Sequence, residues 1–395
     1  MAELERLPMP AAAQPISIDE RLDRITRAQR LMVEQGMDAL FLEATTSLFY
    51  FTGLDLWASE RLHGAVIPAR GDLVYISPAF EEEKTRAMLL FGEEIRTWEE
   101  HEDPAQLVAK VVRSQSGPQA IVGIDEAAPF SVYDALRGAA PGFEYVNGNR
   151  ITAPLRMQKS AAEIALIQHA MNITLAIQAA AARIMTEGIS TTEVQQFLID
   201  AHLKMGCDGP PPFRIVLFGE PTAYPHGVPY PQTLKRGDMI LIDTGARVDG
   251  YFSDITRSYV FGEPSDRQRE IWVLEQQAQK AAFEAARIGS SAAQVDAAAR
   301  RVIEAAGLGP GYAVPGLPHR TGHGLGLDVH EPPYLVQGND TPLAKGMCFS
   351  NEPMICLYGE FGVRLEDHIY MTREGPRWFT EPCVSIDDPF GASAG

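Results

Sequence analysis

Four acidic side chains and one histidine in the C-terminal half of the chain are of the types that bind hard divalent cations. They lie in short patterned segments and are Asp243, Asp254, His323, Glu352 and Glu366. Carboxylate oxygens can bridge two cations, and a hydroxide shared by the two cations can hydrolyse an unreactive bond. If the five side chains converge, the sequence predicts a dinuclear metallohydrolase.

The two aspartates are predicted to lie on neighbouring strands. Asp243 ends a buried-strand pattern that begins with the apolar residues 239–242. The pair Asp249-Gly250 is a hairpin-turn signal, and a second strand over residues 252–261 carries Asp254. The hairpin brings the two carboxylates together, where they repel each other unless a cation lies between them.

The two glutamates also lie on strand-like segments. Glu352 follows the mostly apolar residues 347–350, and Glu366 ends the segment 362–366. Alternation along the second segment places Arg364 on the same strand face as Glu366. Each acid therefore has an explanation that needs no metal, which is an ion pair with a nearby arginine. The candidate arginines are Arg247 and Arg257 for the aspartates and Arg364 for Glu366.

Three of the nine histidines fall within twelve positions, at His319, His323 and His330. The glycines on either side of His323 permit backbone angles and close approach that a buried ligand turn requires. This clustering favours a metal or substrate site, and a histidine-rich surface loop is the alternative.

Composition limits the class of protein. The chain has 395 residues, 22% of them charged, which is typical of a globular protein. Its net charge of -18 argues against binding to nucleic acid, and two bound cations would offset part of that charge. We expect no signal peptide and no membrane span, because no stretch approaches about 18 apolar residues. The scattered cysteines indicate reduced thiols and a cytoplasmic protein; they are Cys207, Cys348, Cys356 and Cys383.

The N-terminal third is predicted to be a separate domain. Residues 1–15 are rich in proline and alanine and are expected to be a flexible tail. From residue 16 to residue 150, helical and strand patterns alternate, which predicts an α/β domain with a mixed sheet covered by helices. The predicted elements are a helix ending at Gly36 and buried strands at 39–42, 64–67, 73–76 and 120–124.

Residues 151–395 are predicted to form a second domain of the α+β class that opens with a capping box at Ser160 and Glu163. Two similar segments each begin a helix that stops at a glycine, and they are 188–194 before Gly206 and 289–295 before Gly307. Chance similarity of capped helices is the alternative to a true repeat. A true repeat predicts a duplicated α-α-β unit with ligands drawn from both halves.

In this order, the motifs resemble those of the "pita-bread" metallopeptidases, the family of Xaa-Pro dipeptidase (prolidase), aminopeptidase P and methionine aminopeptidase. The matching ligand segments are 241–257, 322–333, 351–353 and 362–367. Residues 50–53 and 155–160 resemble the N-terminal domain and linker of the Xaa-Pro and creatinase branches, and Arg364 is typical of Xaa-Pro enzymes. The resemblance implies an α/β N-terminal domain followed by an α+β pita-bread catalytic domain with a pseudo-twofold repeat.

The resemblance also implies two divalent metal ions, manganese first, with cobalt or zinc as alternatives. Asp243 would bind one metal with both oxygens, Asp254 and Glu366 would bridge the two metals, and His323 and Glu352 would complete the second site. The metal-bridging hydroxide would attack the carbonyl of the bond that precedes proline.

The same resemblance assigns roles to further residues. Glu352 would carry the proton to the leaving nitrogen. His226 and His330 match histidines that hydrogen-bond the substrate and the tetrahedral intermediate, and His319 matches one that lines the proline pocket. Arg364 would orient ligands or hold a substrate carboxylate.

Three positions near the fourth ligand depart from the family pattern. Met354 stands where the family has glycine, Cys356 where it has tyrosine, and Asn351 where it has an apolar residue. The surroundings of the ligands and the pocket wall must therefore differ from those of other members.

The sequence leaves several functions open. The first is hydrolysis of Xaa-Pro dipeptides, and the second is release of the N-terminal residue from longer Xaa-Pro peptides by an aminopeptidase P. A metal-dependent lyase acting on dimethylsulfoniopropionate and a non-catalytic binding module are further alternatives on this fold, whereas the complete ligand set speaks against the metal-free creatinase. The expected partners are a small peptide with proline in second position and, by resemblance, a second copy of the chain in a homodimer. No nucleic acid or membrane partner is expected.

Overall fold

The computed structural model of the chain describes residues 2–390. Among these residues there are two compact units, one of residues 16–156 and the other of residues 2–15 together with 157–390. Each unit has buried hydrophobic clusters of its own.

The unit of residues 16–156 contains one six-stranded sheet of order β4-β3-β2-β1-β5-β6. Pairing is antiparallel for β1–β2 and β2–β3 and parallel for the other neighbours, so the sheet is mixed as predicted. Its helices are α2 (Ile18–Gln35), α3 (Thr46–Thr52), α4 (Glu82–Met88), α5 (Pro104–Ser116), α6 (Phe130–Ala139) and α7 (Asn149–Met157). Its strands are β1 (Ala39–Glu43), β2 (Gly64–Pro68), β3 (Val74–Pro78), β4 (Ile95–Trp98), β5 (Ile121–Ile124) and β6 (Glu144–Asn147).

Local signals explain the elements that the sequence predicts in this unit. Helix α2 starts at the N-cap Ser17, whose side chain accepts from the Glu20 backbone N–H, and it ends at Gly36 with φ of 68°. Every residue of β1, β2 and β3 is buried, which is why these strands read as continuous apolar runs rather than as alternating patterns. Strands β4 and β6 and the individual helices α3 to α7 are not among the predicted elements.

Helix α7 runs through the predicted domain boundary near residue 150. Its C-terminal turn is bound into the N-terminal unit, because the Tyr50 hydroxyl donates to the Leu155 carbonyl at 3.1 Å and Arg156 donates to Ser47 Oγ at 3.2 Å. The contacts therefore place the division between residues 156 and 157 rather than at 150.

A buried pair of acids makes the stability of this unit depend on pH. Glu43 at the end of β1 and Asp125 after β5 are each 2% exposed. Burial, followed by the charge of Asp125, raises the pKa of Glu43 from 4.5 to about 7. The folded unit thus holds this proton more tightly than the unfolded chain, so the stabilisation is complete below the unfolded pKa and is lost as pH rises through the folded pKa.

We therefore expect the urea-unfolding midpoint of the unit to fall between about pH 4.5 and about pH 7. The variant E43Q should show a smaller fall, and E34Q, on the exposed face of α2, should show the fall of the unmodified protein. An equal fall in E43Q and the unmodified protein would contradict this explanation.

The unit of residues 2–15 and 157–390 combines two pairs of helices with antiparallel strands. Its helices are α1 (Ala2–Arg6), α8 (Ala161–Arg183), α9 (Thr191–Lys204), α10 (Asp266–Ala285) and α11 (Ala292–Ala305). Its strands are β7 (Arg214–Phe218), β8 (Met239–Thr244), β9 (Arg247–Val248), β10 (Tyr251–Phe252), β11 (Ile255–Val260), β12 (Gly322–Gly324), β13 (Glu331–Leu335), β14 (Cys348–Asn351), β15 (Met354–Leu357), β16 (Phe361–Arg364), β17 (Asp367–Met371) and β18 (Pro376–Trp378).

The two halves of this unit repeat one another in detail. Helices α8, α9, α10 and α11 all begin with a capping box, formed by Ser160/Glu163, Ser190/Glu193, Ser265/Gln268 and Ser291/Gln294. Before α9, the Leu234 carbonyl accepts from the Gly188 N–H and the Leu234 N–H donates to the Ile189 carbonyl, both at 2.9 Å. Before α11, Leu343 makes the equivalent pair with the Gly289 N–H and the Ser290 carbonyl, both at 2.8 Å. The repeated segments are therefore equivalent elements of two α-α-β halves.

The two halves are joined by a backbone bridge that lies next to the predicted ligands. The first half contributes the sheet β11-β8-β7, and the second contributes the sheet β13-β12-β14-β17-β18 and the hairpin β15-β16. An isolated bridge pairs Thr256 with Glu366 and so joins the first residues of β11 to the connection between β16 and β17.

The prediction of a flexible tail is wrong for the first described residues. Helix α1 packs on α8 and α9, Leu7 is 5% exposed, and Lys204 Nζ donates to the Leu4 carbonyl at 2.5 Å. Glu3 also pairs with Arg183 at 2.5 Å. The proline- and alanine-rich composition concealed these anchoring contacts because they are made by only a few side chains.

Judged by length and composition alone, α8 is the one helix among residues 2–390 that could cross a membrane, although polar residues interrupt its apolar sequence. In the fold, 61% of its most apolar window is buried, and its side chains form a hydrophobic cluster with α9 and β8. That burial is typical of a core helix.

Candidate metal centre

The two candidate aspartates are brought together by β8 and β11. Asp243 is the fifth residue of β8 and pairs in register with Thr256 of β11. The turn Asp249-Gly250 connects the two-residue strands β9 and β10, and its φ angles of 48° and 82° suit a hairpin turn. Asp254 lies between β10 and β11, not within a strand as the sequence predicts.

The second half supplies the histidine and the two glutamates. His323 is the central residue of β12, and Glu352 lies in the connection from β14 to β15. Glu366 lies between β16 and β17, so the predicted strand face shared with Arg364 is not formed. His323, Glu352 and Glu366 thus lie in a short strand or in the connections between strands. All three are buried, and their side chains can point towards one another without sharing one face of a sheet.

The five side chains converge on one buried region. Ligand atoms of His323, Glu352 and Glu366 lie within 4.8 Å of one another, as do those of Asp254, Glu366 and His368. His323 Nε2 lies 2.9 Å from Glu352 Oε1 and 3.7 Å from Asp254 Oδ2. Asp243 is outside these groups of ligand atoms, but its charge acts on Asp254. The five residues are between 1% and 9% exposed.

The carboxylates are too close together for all of them to be ionised without a compensating cation. Burial, opposed by Arg364 and reinforced by Glu366, raises the pKa of Asp243 to about 6. Burial and then Glu352 raise the pKa of Glu366 to about 7, and burial and then Glu366 raise the pKa of Asp254 well above its usual value. Carboxylates that raise one another's pKa values in this way indicate a binding site for a cation.

His323 and Glu352 respond in the opposite way. Burial alone would lower the pKa of His323, but the charge of Glu352 and its hydrogen bond outweigh burial and raise it. Burial alone would raise the pKa of Glu352, but the charge and hydrogen bond of His323, together with the charges of His319 and Arg364, outweigh burial and hold the pKa below its usual range. The centre thus demands positive charge next to Glu352, which either a proton on His323 or a divalent cation can supply.

Unpartnered oxygen atoms provide an independent test of whether metal ions fit. Among the described residues, Asp243 Oδ1 and Asp254 Oδ1 are buried side-chain atoms without a hydrogen-bond partner. Leaving such an acceptor unsatisfied is costly, and a divalent cation would satisfy both. Four carboxylates with one imidazole are also donors that manganese, cobalt and zinc accept, so the residues fit the group.

Hydrogen bonds orient the ligand side chains. Thr256 Oγ1 donates to Glu366 Oε2 at 2.6 Å, and Ser350 Oγ donates to Glu352 Oε1 at 3.0 Å. His323 Nδ1 lies 3.1 Å from the Gly324 carbonyl, a contact in which Nδ1 carries the proton and Nε2 is left to face the carboxylates. These partners restrict the geometry before any ligand binds.

The arginines do not neutralise the acids in the way the sequence alternatives suggest. Arg257 pairs with Asp367 at 2.7 Å, and Arg247 lies 3.9 Å from Asp208. Arg364 pairs with Asp243, not with Glu366, at 2.5 Å. One carboxylate of the centre therefore has an arginine partner, and it is a partner from the other half of the unit.

The centre opens into a cavity of about 420 Å³. Six of its lining residues are predicted site residues, namely His226, His319, His323, His330, Glu352 and Arg364. Arg320 and Tyr358 line it too, together with Pro225 and Pro318. The metal ligands and the predicted substrate-binding residues therefore share one cavity.

Family models cover most of the chain. Residues 165–373 match the model of metallopeptidase family M24, and residues 24–158 match the creatinase/prolidase N-terminal domain. The chain belongs to metallopeptidase family M24. This M24 protein is therefore a metallopeptidase, and the family implies divalent metal ions at the carboxylate and histidine cluster. The predicted α/β domain and pita-bread catalytic domain are confirmed.

Named relatives extend over nearly the whole of this M24 peptidase. The Xaa-Pro dipeptidase of Lactobacillus helveticus is 32% identical over 90% of the chain and 96% of the relative. The dipeptidase PepE of Mycobacterium ulcerans has a solved structure with a TM-score of 0.85 and 33% identity, over 93% of this chain and 97% of that one. The prolidase of Thermococcus sibiricus matches with a TM-score of 0.84 and 30% identity, over 93% and 98% of the two chains.

Two histidines of the M24 peptidase, His319 and His330, lie beside the metal ligands and have lowered pKa values. The ring centroid of His330 is 4.1 Å from that of His323, and desolvation followed by the charge of His323 lowers the pKa of His330 to about 4. Burial also lowers the pKa of His319, whose Nδ1 lies 2.7 Å from the Arg320 carbonyl. The neutral ring of His330 can donate one N–H to a substrate oxygen, whereas the N–H of neutral His319 is used on the Arg320 carbonyl and leaves Nε2 as an acceptor.

The three residues that depart from the family pattern, Asn351, Met354 and Cys356, are all buried beside the metal centre. Asn351 Nδ2 donates to the Gln279 carbonyl at 2.7 Å, and Gln279 Nε2 returns a bond to the Asn351 carbonyl at 3.3 Å. Met354 Sδ lies 3.8 Å from Arg364 Nη1, so it contacts the arginine that holds Asp243. Cys356 is fully buried, and Tyr358 brings a phenol to the cavity two residues later.

Sequence reasoning missed several residues of this site. His368 is buried with Nε2 3.3 Å from Glu366 Oε1, and it lies two residues after that ligand, a spacing that could have identified it. Thr256, Arg320 and Tyr358 gave no comparable signal, because a hydroxyl, an exposed arginine and a tyrosine are common throughout the chain.

Proposed function

We propose that this metallopeptidase hydrolyses the peptide bond preceding proline in Xaa-Pro dipeptides. The observation that carries the proposal is the buried cluster of four carboxylates and His323 opening into a cavity of about 420 Å³. The names of the relatives, an Xaa-Pro dipeptidase and a prolidase among them, support this substrate class. Release of the N-terminal residue from longer Xaa-Pro peptides is the second candidate.

We propose that Asp243, Asp254, His323, Glu352 and Glu366 hold two divalent ions, with manganese first and cobalt or zinc as alternatives. When bound, such ions polarise the scissile carbonyl and lower the pKa of water to near neutrality. The unpartnered oxygens of Asp243 and Asp254 and the raised carboxyl pKa values support this ligand set.

We propose that Glu352 carries the proton to the leaving nitrogen. Its carboxylate is ionised at neutral pH because His323 holds its pKa below the usual range, so it has the capacity to accept a proton. Ser350 Oγ donates to Oε1 and keeps the carboxylate oriented while it faces the cavity.

The remaining cavity residues are proposed to orient the substrate. His330, neutral at pH 7 because its pKa is lowered to about 4, would donate an N–H to the developing oxyanion, and His226 would hold the substrate from the opposite loop. His319 would lie against the proline ring. Arg364 would act as a positioning residue through its pair with Asp243.

A comparison of three peptides tests the proposed function. With Mn²⁺ present, the enzyme should cleave Ala-Pro, whereas Ala-Ala, which lacks proline, should be a poor substrate. Cleavage of Ala-Pro-Ala at a rate similar to that of Ala-Pro would favour the aminopeptidase. If neither Ala-Pro nor Ala-Pro-Ala is hydrolysed, both candidate functions are wrong.

We further propose a homodimer in the cytoplasm. The four cysteines are free thiols, which suits a reducing compartment. The indole of Trp57 is 93% exposed and is one candidate contact with a second copy. Light scattering of the purified protein would give the mass of the assembly, and a monomer mass would contradict the dimer.

A further inference from the structure

Two of the proposed metal ligands lie just beyond the end of a paired stretch of the sheet. Strands β14 and β17 are antiparallel, and the last pair in their register is Asn351 with Asp367. Glu352 follows Asn351 and Glu366 precedes Asp367, so both glutamates lie in connections beyond the last pair of the ladder. The separation of the two carboxylates therefore depends on contacts outside the β14–β17 ladder.

One side chain of helix α10 contacts the backbone next to both glutamates. The Nε2 atom of Gln279 donates to the Leu365 carbonyl at 3.0 Å and to the Asn351 carbonyl at 3.3 Å. Leu365 is the residue before Glu366, and Asn351 is the residue before Glu352. A single amide group therefore links the two connections that carry the ligands.

Two further hydrogen bonds complete the contact. Gln279 Nε2 also donates to Asp367 Oδ2 at 3.3 Å, and Asn351 Nδ2 donates to the Gln279 carbonyl at 2.7 Å. Nε2 carries two hydrogens and has three acceptors, so one of its N–H groups is shared. Gln279 is thus bound to both members of the last β14–β17 pair as well as to Leu365.

Burial makes this arrangement rigid. Gln279 and Asn351 are 2% and 0% exposed, so a connection that moved away from α10 would leave buried polar groups without a partner, which is costly. Helix α10 is itself fixed, because the indole of Trp272 is buried and its Nε1 donates to the Ser258 carbonyl of β11 at 2.9 Å. The amide of Gln279 therefore holds both connections against a fixed support before any metal binds.

We propose that Gln279 is a positioning residue that sets the separation of Glu352 and Glu366, and with it the affinity for the metal ion that both glutamates would bind. This assignment rests on the proposed ligand set and deepens it by naming the side chain that places two of the ligands. Gln279 does not line the cavity, so it acts through the backbone of its neighbours and not on the substrate.

The test measures how tightly each of two Mn²⁺ ions binds to the variant Gln279→Met, whose side chain is of similar length but has no N–H donor. The ion that Glu352 and Glu366 share should bind about 10- to 100-fold more weakly, the range for loss of a group that supports metal ligands. The other ion, which keeps Asp243 and Asp254, should change less. Equilibrium dialysis of metal-stripped protein, followed by elemental analysis, gives the bound ions per chain at each concentration of free Mn²⁺.

The matched control is Gln276→Met on the same helix. Gln276 Nε2 also donates to a backbone carbonyl, that of Cys383 at 2.9 Å, but Cys383 is not next to a proposed ligand. Q276M loses an equivalent hydrogen bond of α10 and should keep both Mn²⁺ affinities of the unmodified protein. Equal affinities in Q279M and Q276M would overturn the role of Gln279 while the ligand set stands.

The variant Asn351→Val provides a second measurement, which decides alone if Q279M does not fold. It removes the hydrogen bond to the Gln279 carbonyl but keeps the Asn351 carbonyl to which Gln279 Nε2 donates, so the same ion should bind more weakly by a smaller factor. In that case, an N351V protein with unchanged affinities for both ions would overturn the proposal. If the unmodified protein binds no Mn²⁺, the ligand set is wrong, and the role of Gln279 is wrong with it.

Discussion

Replacing Glu366 with glutamine should lower kcat/KM for Ala-Pro by about three orders of magnitude or more, because several kcal/mol of stabilisation by the metal centre would be lost. Glu366 belongs to two of the three groups of possible ligands among the described residues, one with Asp254 and His368 and one with His323 and Glu352. The amide is nearly isosteric but carries no charge, so the variant should also bind less metal. Kinetics and elemental analysis of the purified variant would measure the two effects.

Thr256→Val is the matched control for this substitution. It removes the 2.6 Å hydrogen bond to Glu366 Oε2 and the 3.1 Å hydrogen bond from Arg364 Nε but keeps the carboxylate, so we expect a loss of only about 10- to 100-fold in activity. Circular dichroism should show both variants folded. An E366Q protein that retains its metal and its full activity would refute the proposed role of Glu366 as a ligand.

The second large effect concerns stability. Asp367→Ala should lower the free energy of unfolding of the catalytic unit by about 3–5 kcal/mol, because it leaves a buried guanidinium without its partner. The side chains of Arg257 and Asp367 are 1% and 0% exposed and lie 2.7 Å apart. Thr380 Oγ1 also donates to Asp367 at 2.9 Å, and Gln279 Nε2 does so at 3.3 Å, so two further polar groups lose their acceptor.

An exposed ion pair of the same unit provides the control. Glu270 and Arg267 lie 2.9 Å apart with side chains 67% and 45% exposed, so Glu270→Ala should change stability by no more than about 1 kcal/mol. Urea unfolding of both variants would measure the difference. If D367A is no less stable than E270A, the buried pair does not contribute as described.

The Arg257–Asp367 ion pair also holds the backbone of the metal centre, so it affects both stability and metal binding. Arg257 Nη1 donates to the Glu366 carbonyl at 2.9 Å and to the Thr256 carbonyl at 3.1 Å, so it fixes the backbone that carries one ligand and the hydroxyl that orients it. A loss of Asp367 would therefore be expected to affect metal affinity as well as folding.

Local patterns explain how much of the fold could be predicted. The capping boxes at Ser160 and at residues 190–193 are short-range signals, and the buried strands β1 and β8 are continuous apolar runs. Such features depend on neighbours in sequence, so a single chain reveals them. The anchoring of residues 2–7 depends on contacts with α8 and α9 far along the chain, and the sequence did not predict it.

In the metal centre too, the sequence predicted the features that depend on neighbouring residues and not those that depend on distant ones. All five candidate ligands could be picked out because acids after apolar runs and a histidine between glycines are unusual. Their exact placement could not, since Asp254 and Glu366 lie in connections where alternation does not apply. The partner of Arg364 is Asp243, 121 positions away, and no spacing rule connects residues across two halves of a fold.

The number of metal ions per chain at full activity is the most direct test of the dinuclear centre. Metal-stripped protein titrated with Mn²⁺ should gain Ala-Pro hydrolysis until two ions are bound per chain and no further. A plateau at one ion per chain, or full hydrolysis by the metal-stripped protein, would contradict the account.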